Sequence, residues 1–169
     1  LLGGEAAVHE PWRVALSTGE LALDRAQALQ LFPARAREAE VLLRASDAGL
    51  NAPVTTSMGR LFDAVAALCG LRETVSYEGQ AAIALEQIAD ESEQESYQFS
   101  IVREADGWIY DWRSVVQGVI LDAASGVLPG CISMRFHRAL AELLANAAEI
   151  NRAETGCYIA ALSGGCFQN

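Results

Sequence analysis

The last seven residues of the chain, Ser163 to Asn169, constrain its fold more than any other segment. They read SGGCFQN and follow an apolar run, Cys157 to Leu162, that predicts a buried β-strand. Two glycines at the end of a strand let backbone approach a ligand closely, and successive N–H groups in such a turn form an anion-binding concavity. Gly164 and Gly165 are therefore candidate phosphate contacts, and Asn169 is a candidate ligand of a sugar hydroxyl or phosphate oxygen. An ordinary Gly-Gly turn that binds nothing is the alternative.

Composition bounds the fold class and the kind of partner. A chain of 169 residues, 51% of them hydrophobic, can bury one core and has the size of one domain. Its 22 acidic residues outnumber 12 basic ones, and every basic residue is an arginine. The net charge of −10 argues against nucleic acid, because binding a phosphate backbone needs clustered positive charge. No stretch approaches the roughly 20 apolar residues of a membrane span, so no membrane partner is expected.

The four cysteines, Cys69, Cys131, Cys157 and Cys166, are widely spaced, with no C-x-x-C pair. This spacing supports neither a zinc site nor a disulfide framework, and it favours buried free thiols in a reducing compartment. Cys166 lies within the glycine segment, but no acid–base partner is near it in sequence. It is therefore not interpreted as a nucleophile.

One helix is predicted with both of its ends. Apolar residues recur at helical spacing from Met58 to Cys69, Thr55 to Ser57 offer an N-cap, and Gly70 can end the helix. Arg60 and Asp63 fall on the face opposite the apolar stripe. Asp63 is therefore not needed for packing, and it is expected to point into a cleft or into water.

The other segments predict a helix-rich α/β chain. Alternation from Tyr97 to Val102, a turn at Asp106-Gly107 and the apolar Trp108-Ile109-Tyr110 indicate a β-hairpin. Pro129-Gly130 indicates a turn between helices. Further helices are predicted at residues 11–16, 33–45, 77–89, 112–125 and 133–150.

The segment SMGRLFDAVAALCGL from Ser57 to Leu71, with VSYEGQAA from Val75 to Ala82, resembles the C-terminal domain of HypF-type carbamoyltransferases. The resemblance continues through Pro11-Trp12-Arg13, Arg135-Phe136-His137 and the closing SGGCFQN, and it covers nearly all 169 residues. It implies that residues 1–169 are a single partial domain, a fragment of a larger polypeptide. The implied fold is part of an actin-like ATPase (ASKHA, RNase H-like) domain, shared with TsaD-type threonylcarbamoyladenosine synthases.

The resemblance also assigns candidate site residues. It implies that Asp63 is the ribose-side carboxylate, that Gly79 lies in a second contact loop, and that Gly164 and Gly165 form the backbone cradle of a nucleotide that Asn169 also binds. A solvated helix aspartate is the alternative for Asp63, and an ordinary helix-entry glycine is the alternative for Gly79. No catalytic residue is identified.

The activity implied by the resemblance is ATP-dependent carbamoyl transfer in the maturation of [NiFe] hydrogenases. Carbamoyl phosphate and ATP form a carbamoyl adenylate, and its carbamoyl group passes to the C-terminal cysteine thiol of a HypE-like acceptor protein in the cytoplasm. The family's divalent metal is held by a histidine pair upstream and an aspartate downstream, so its ligands are expected outside this chain. The isolated chain is expected to bind nucleotide weakly and to show no turnover.

Two other functions stay open at this point. A small-molecule O-carbamoyltransferase shares the domain and differs in its acceptor, which these residues do not define. A non-catalytic helical interaction module, whose glycine turn binds nothing, is the second alternative, and it predicts no change in stability when ligand is added.

Overall fold

The computed structural model describes residues 1–105 and 107–168 as a helix-rich assembly with one small sheet. The helices are α1 (Ala6–His9), α2 (Pro11–Ala22), α3 (Arg25–Gln30), α4 (Ala36–Asp47), α5 (Met58–Leu68), α6 (Gln80–Gln87), α7 (Arg113–Ala124) and α8 (Pro129–Thr155). The strands are β1 (Ser100–Glu104) and β2 (Gly107–Asp111), and short 3₁₀ turns occur at Pro33–Arg35 and Gly165–Gln168.

Helix α5 lies at the centre of the molecule, between two hydrophobic cores. One core joins α1 to α4 with one side of α5, and Trp12, Phe32 and Leu16 are among its large buried side chains. The other core joins α5 to α6, α7 and α8, and there Phe62 and Phe136 pack edge to face with ring centroids 5.0 Å apart. Because partners cover both sides of α5, the residues of its apolar stripe and those opposite are buried alike.

The predicted ends of α5 are confirmed, and they follow from local sequence. Ser57 is the N-cap residue, although its side chain makes no capping hydrogen bond. At the other end Gly70 adopts a positive φ of 72°, and the N–H of Leu71 donates to the carbonyl of Ala66. Such a left-handed glycine closes a helix without the strain that a Cβ brings.

The β-hairpin is confirmed, with Gly107 of the predicted turn as the first residue of strand β2. Strands β1 and β2 pair antiparallel, from Ser100 opposite Asp111 to Glu104 opposite Gly107, while Asp106 of the predicted turn lies outside the described residues. The hairpin is attached to the end of α8 by Glu154, which pairs with Arg103 and accepts a hydrogen bond of 3.1 Å from the Trp108 indole N–H.

The prediction of a turn at Pro129-Gly130 is wrong, because both residues lie in the first turn of α8. Proline is well suited to the first helical position, where its missing N–H costs no hydrogen bond. Gly130 allows close packing there: a Cβ on it would lie 2.6 Å from the carbonyl oxygen of Ile88, and its own carbonyl accepts from the N–H of Asp90.

The prediction of a buried C-terminal strand is also wrong for the described residues. Residues 157–162 form no strand, and Tyr158, Ile159 and Leu162 are exposed. The run is apolar, but a strand needs a hydrogen-bonding partner, and no strand among residues 1–105 and 107–168 lies beside it. Gly156, with φ of 70°, ends α8 and redirects the chain into this segment.

Within the described part of the chain, no helix combines the length and the apolar character that crossing a lipid bilayer demands. The long helix α8 illustrates this, since its 27 residues include several charged side chains on an exposed second half.

Candidate functional site

Asp63 is buried in the middle of α5, so of the two surroundings expected for it, a cleft or water, water is excluded. Only 3% of the residue is exposed, because α5 is covered by packed helices on both sides. Burial raises the pKa of this carboxyl to about 6; the attraction of Arg60 opposes that rise and Glu78 adds to it. Its Oδ2 atom is fully buried and accepts no aligned hydrogen bond from a described residue. The solvated-aspartate alternative is therefore excluded.

Arg60 lies one turn before Asp63 and carries the positive charge of this region. Its Nη1 atom is 3.0 Å from Asp63 Oδ2, and its Nη2 atom is 3.7 Å from Glu78 Oε1. The residue is only 8% exposed, yet Nη1 has no aligned hydrogen-bond acceptor among the described residues. Two opposite charges thus lie side by side in the interior with hydrogen-bonding capacity unused, which is costly unless a ligand supplies partners.

Gly79 lies in the loop that faces this ion pair. It is the N-cap residue of α6 and has a left-handed backbone with φ of 84°, and nothing lies within 4 Å of where its Cβ would be. Its loop is held by Gln80, whose side-chain oxygen accepts from the N–H of Ser76 at 2.8 Å. Glu78, next to Gly79, connects the loop to Arg60. Gly79 thus has the helix-entry role considered for it, and its backbone is open on the side where a Cβ would lie.

The glycine segment at the end of the chain returns to the same helix. Gly164 has φ of 102°, and the following turn, Gly165–Gln168, lies against α5. The carbonyl of Gly164 accepts a hydrogen bond of 3.2 Å from the N–H of Phe167. No heavy atom lies within 4 Å of a Cβ built on either glycine, so their backbone is open. Asn169 lies outside the described residues. The fold thus brings Asp63, Gly79 and the two glycines to the surroundings of one helix.

Two further features of the chain concern possible metal ligands and the reactivity of its thiols. No group of three or more His, Cys, Asp and Glu side chains in residues 1–105 and 107–168 could hold a metal ion. Cys69 and Cys131 are partly buried, and burial raises the pKa of Cys69 to about 12. The expectation of buried thiols is wrong for Cys157 and Cys166, which are exposed because the C-terminal segment packs loosely.

A cavity of about 470 Å³ was not anticipated from the sequence. It lies between α2 and the segment 52–58 that leads into α5, and Tyr110 and Trp112 close it from the hairpin side. Arg60 lines it. One signal was available: an arginine and an aspartate three positions apart in an otherwise apolar helix are neighbours on its surface.

Comparison with known proteins gives a consistent result. The family model described as "Carbamoyltransferase, Kae1-like Domain, second subdomain" matches residues 1–169. The carbamoyltransferase HypF of Rhodobacter capsulatus is 39% identical over 180 residues, which cover 100% of this chain and 22% of that protein. The protein of the same name from Synechocystis is 40% identical over 120 residues, 70% of this chain and 15% of its own length.

A solved structure agrees with these relatives. The crystal structure of full-length HypF in the phosphate- and nucleotide-bound form matches the fold with a TM-score of 0.92 and 36% sequence identity. The match covers 100% of this chain and 26% of that one. The chain therefore spans between 15% and 26% of the lengths of these proteins.

Proposed function

Because the chain belongs to the HypF carbamoyltransferase family, as its second Kae1-like subdomain, we propose that it forms part of the nucleotide-binding half of an ATP-dependent carbamoyltransferase. Carbamoyl phosphate and ATP are the substrates in this proposal, and a carbamoyl adenylate is the intermediate. The acceptor is the C-terminal cysteine thiol of a HypE-like protein, which makes the product a precursor of the cyanide ligand in [NiFe] hydrogenase.

The observation that carries the proposal is the buried Asp63 carboxylate, whose Oδ2 atom lies beside Arg60 but accepts no aligned hydrogen bond from a described residue. A ribose offers two hydroxyl donors, and a carboxylate can accept both. Gly79 and the Gly164-Gly165 pair support it, since each offers bare backbone beside α5. The HypF structure described above was solved with phosphate and nucleotide bound, which supports the same ligand class for this chain. In this proposal Asn169 is a further nucleotide contact.

The proposed role of these residues is binding and positioning. Asp63 orients the ribose, and the open glycine backbone presents N–H groups to phosphate oxygens, so that the carbamoyl carbonyl is held in line with the incoming thiolate. Since Asp63 is 3% exposed, nucleotide entry is expected to move the Arg60 side chain or the loop that carries Gly79. A divalent metal would neutralise phosphate charge. The described residues do not fit such an ion, so its ligands are proposed to lie outside this chain.

The superfamily of the fold and the location of the protein in the cell are also parts of the proposal. We propose that the chain folds as one partial domain, 1–169, of the actin-like ATPase (ASKHA, RNase H-like) type. We also propose a cytoplasmic location, because the four cysteines are free, as expected in a reducing compartment.

The proposal is tested in a full-length protein. Residues 1–169 replace the matching segment of Rhodobacter capsulatus HypF, and AMP formation is measured with ATP, carbamoyl phosphate and a HypE-like acceptor. We expect AMP release that depends on carbamoyl phosphate, and a loss of about 100-fold or more in Asp63→Ala, because several positioned contacts of a nucleotide are lost together. Asp47→Ala, at an exposed carboxylate, is the matched control.

Three results would contradict the proposal or part of it. A folded hybrid that neither binds ATP nor releases AMP would favour the non-catalytic interaction module. Equal activity of Asp63→Ala and wild type would remove Asp63 from the nucleotide site. Transfer to a sugar hydroxyl in place of the acceptor thiol would favour the small-molecule O-carbamoyltransferase.

A further inference from the structure

The cavity between α2 and α5 has the properties of a binding site that the nucleotide proposal does not use. Its volume of about 470 Å³ lies within the range of small-molecule pockets, roughly 300 to 1,000 Å³. Its walls are mostly apolar, and hydroxyl groups of α2 and of residues 55–57 also line it. The lining residues that carry the argument are Ser17, Leu21, Thr55, Ser57, Arg60 and Trp112.

Arg60 is the charged group of this cavity with unused hydrogen-bonding capacity. About nine-tenths of its side chain is buried; its Nη1 atom is enclosed beside Asp63, and its Nη2 atom is 3.7 Å from Glu78 Oε1. A guanidinium carries five N–H donors in a planar fork, and the contact with Asp63 occupies one edge at most. A carboxylate or phosphoryl group is the partner that this fork matches in geometry.

The N-terminus of α5 borders the same cavity. Thr55, Ser57 and Met58 line it, and the Ser57 side chain does not cap the helix. The Arg60 N–H donates to the Ser57 carbonyl, which leaves the N–H groups of Met58 and Gly59 available, and the helix dipole places partial positive charge at this end. Arg60 and the helix end are two independent sources of attraction for an anion, and α5 with 11 residues is long enough to have a developed dipole.

The surrounding charges limit the ligand to a single negative charge. Arg60 is already balanced by Asp63 at 3.0 Å, and Glu20, which lines the cavity, is 3.7 Å from Arg25. A dianion would face both Asp63 and Glu20, and the other cation at the cavity, the Leu1 ammonium group, already donates to the Pro53 carbonyl at 2.7 Å. A monoanion adds one negative charge, which both the N-terminus of α5 and the Arg60 guanidinium can attract.

We propose that the Arg60 cavity, defined by the lining residues above, binds a small ligand that presents one singly charged oxyanion, a carboxylate or a phosphodiester, on an apolar body. The oxyanion contacts the Arg60 guanidinium and the N-terminus of α5. The apolar body lies against Leu21 and Trp112. The cavity is distinct from the glycine segments, and it shares with Asp63 only the ion pair.

Isosteric probes test this site on the 169-residue chain. Phenylacetate, its neutral isostere phenylacetamide and the monoanion methyl phenyl phosphate are titrated to 10 mM, and backbone and arginine N–H resonances are followed by NMR. We expect phenylacetate to shift resonances of residues 55–60 and of the Arg60 side chain, with an affinity about tenfold higher than that of phenylacetamide. Methyl phenyl phosphate distinguishes the two ligand classes: tighter binding of phenylacetate indicates a carboxylate ligand, and tighter binding of methyl phenyl phosphate indicates a phosphodiester.

Variants localise the binding and keep the test independent of folding defects. Arg60→Lys keeps the charge and removes the fork, and we expect at least a fivefold loss of phenylacetate affinity. Ser17→Leu fills the cavity without touching Arg60, and we expect it to abolish the shifts. Arg44→Lys, at an exposed arginine, should bind as wild type does. Equal binding of the amide and the acid by the wild-type chain, or shifts that survive Ser17→Leu, would overturn the proposal.

Discussion

Arg60 Nη1 and Asp63 Oδ2 lie 3.0 Å apart in the first two turns of α5, and neither atom has an aligned hydrogen bond with a described residue. A buried ion pair whose hydrogen bonds are incomplete destabilises the folded state by several kcal/mol. Other contacts of α5 must offset this cost. The energetic consequence is measurable through the pH dependence of stability.

The first prediction concerns this pH dependence. The pKa of Asp63 is raised to about 6 by burial, against a value of 3.8 when exposed, so the folded chain binds this proton more tightly than the unfolded chain. The Asp63 contribution to stability is therefore full below about pH 4 and falls as the pH rises through 6. We expect the free energy of unfolding of wild type, relative to Asp63→Asn, to decrease by up to about 3 kcal/mol between pH 4 and 7.

Urea unfolding at a series of pH values measures this difference. Asp47→Asn, at an exposed carboxylate, serves as the matched control, and its difference from wild type should change little over the same range. A difference between wild type and Asp63→Asn that rises with pH would show that the attraction of Arg60 outweighs burial.

The second prediction concerns Tyr97, which joins the acidic loop of residues 90–96 to α7. Its hydroxyl donates to Asp122 at 2.6 Å, and Arg135 donates to the same carboxylate at 2.8 Å. Burial, together with the bond to Asp122, raises the pKa of Tyr97 strongly, so the phenol stays protonated at neutral pH. We expect Tyr97→Phe to lower the free energy of unfolding by about 1 to 2 kcal/mol, because Asp122 loses one charge-assisted hydrogen bond but keeps Arg135.

Urea unfolding at pH 7 is the measurement, with Tyr77→Phe as the control at an exposed tyrosine. The control should lie within about 0.5 kcal/mol of wild type. Equal stability of the two variants would mean that the Tyr97 hydroxyl contributes nothing to holding the loop.

The third prediction separates backbone conformation from packing at Gly79. Its φ is 84° and its surroundings are open, so an added methyl group would meet no atom but would strain the backbone. We expect Gly79→Ala to destabilise the chain by about 1 to 2 kcal/mol. Gly59→Ala, within α5 and with its nearest contact at 3.5 Å, should be neutral or slightly stabilising, because alanine favours a helix. Thermal unfolding of both variants measures this difference. Equal melting temperatures would contradict the left-handed conformation of Gly79.

The fourth prediction concerns thiol reactivity. Cys157 and Cys166 are exposed, while Cys69 and Cys131 are partly buried with raised pKa values, so fewer of the buried thiols are ionised at pH 8. We expect two thiols to react rapidly with Ellman's reagent in the folded chain and two to react after unfolding. Peptide mass mapping identifies the sites. Slow labelling of Cys157 would indicate that the C-terminal segment is covered in solution.

The helices that were predicted well depend on neighbouring residues in the sequence. Met58 to Leu68 carried an apolar periodicity and a terminating glycine, and the structure places α5 at those residues. The hairpin likewise followed from alternation around Gly107. Resemblance identified the family, and the family model confirms it; the site residues Asp63, Gly79, Gly164, Gly165 and Asn169 stay predictions.

Other features required the tertiary structure, because they depend on what packs against a segment. A helical pattern describes one face of α5, but it could not show that α2 covers the opposite face and buries Asp63. The run from Cys157 to Leu162 has the composition of a strand, yet a strand exists only where a neighbour supplies hydrogen bonds. Local order along the chain was therefore determined by the sequence itself. The burial of the Arg60–Asp63 pair, the Arg60 cavity and the exposure of the last apolar run were decided by tertiary packing, because burial is a property of contacts between segments distant in sequence.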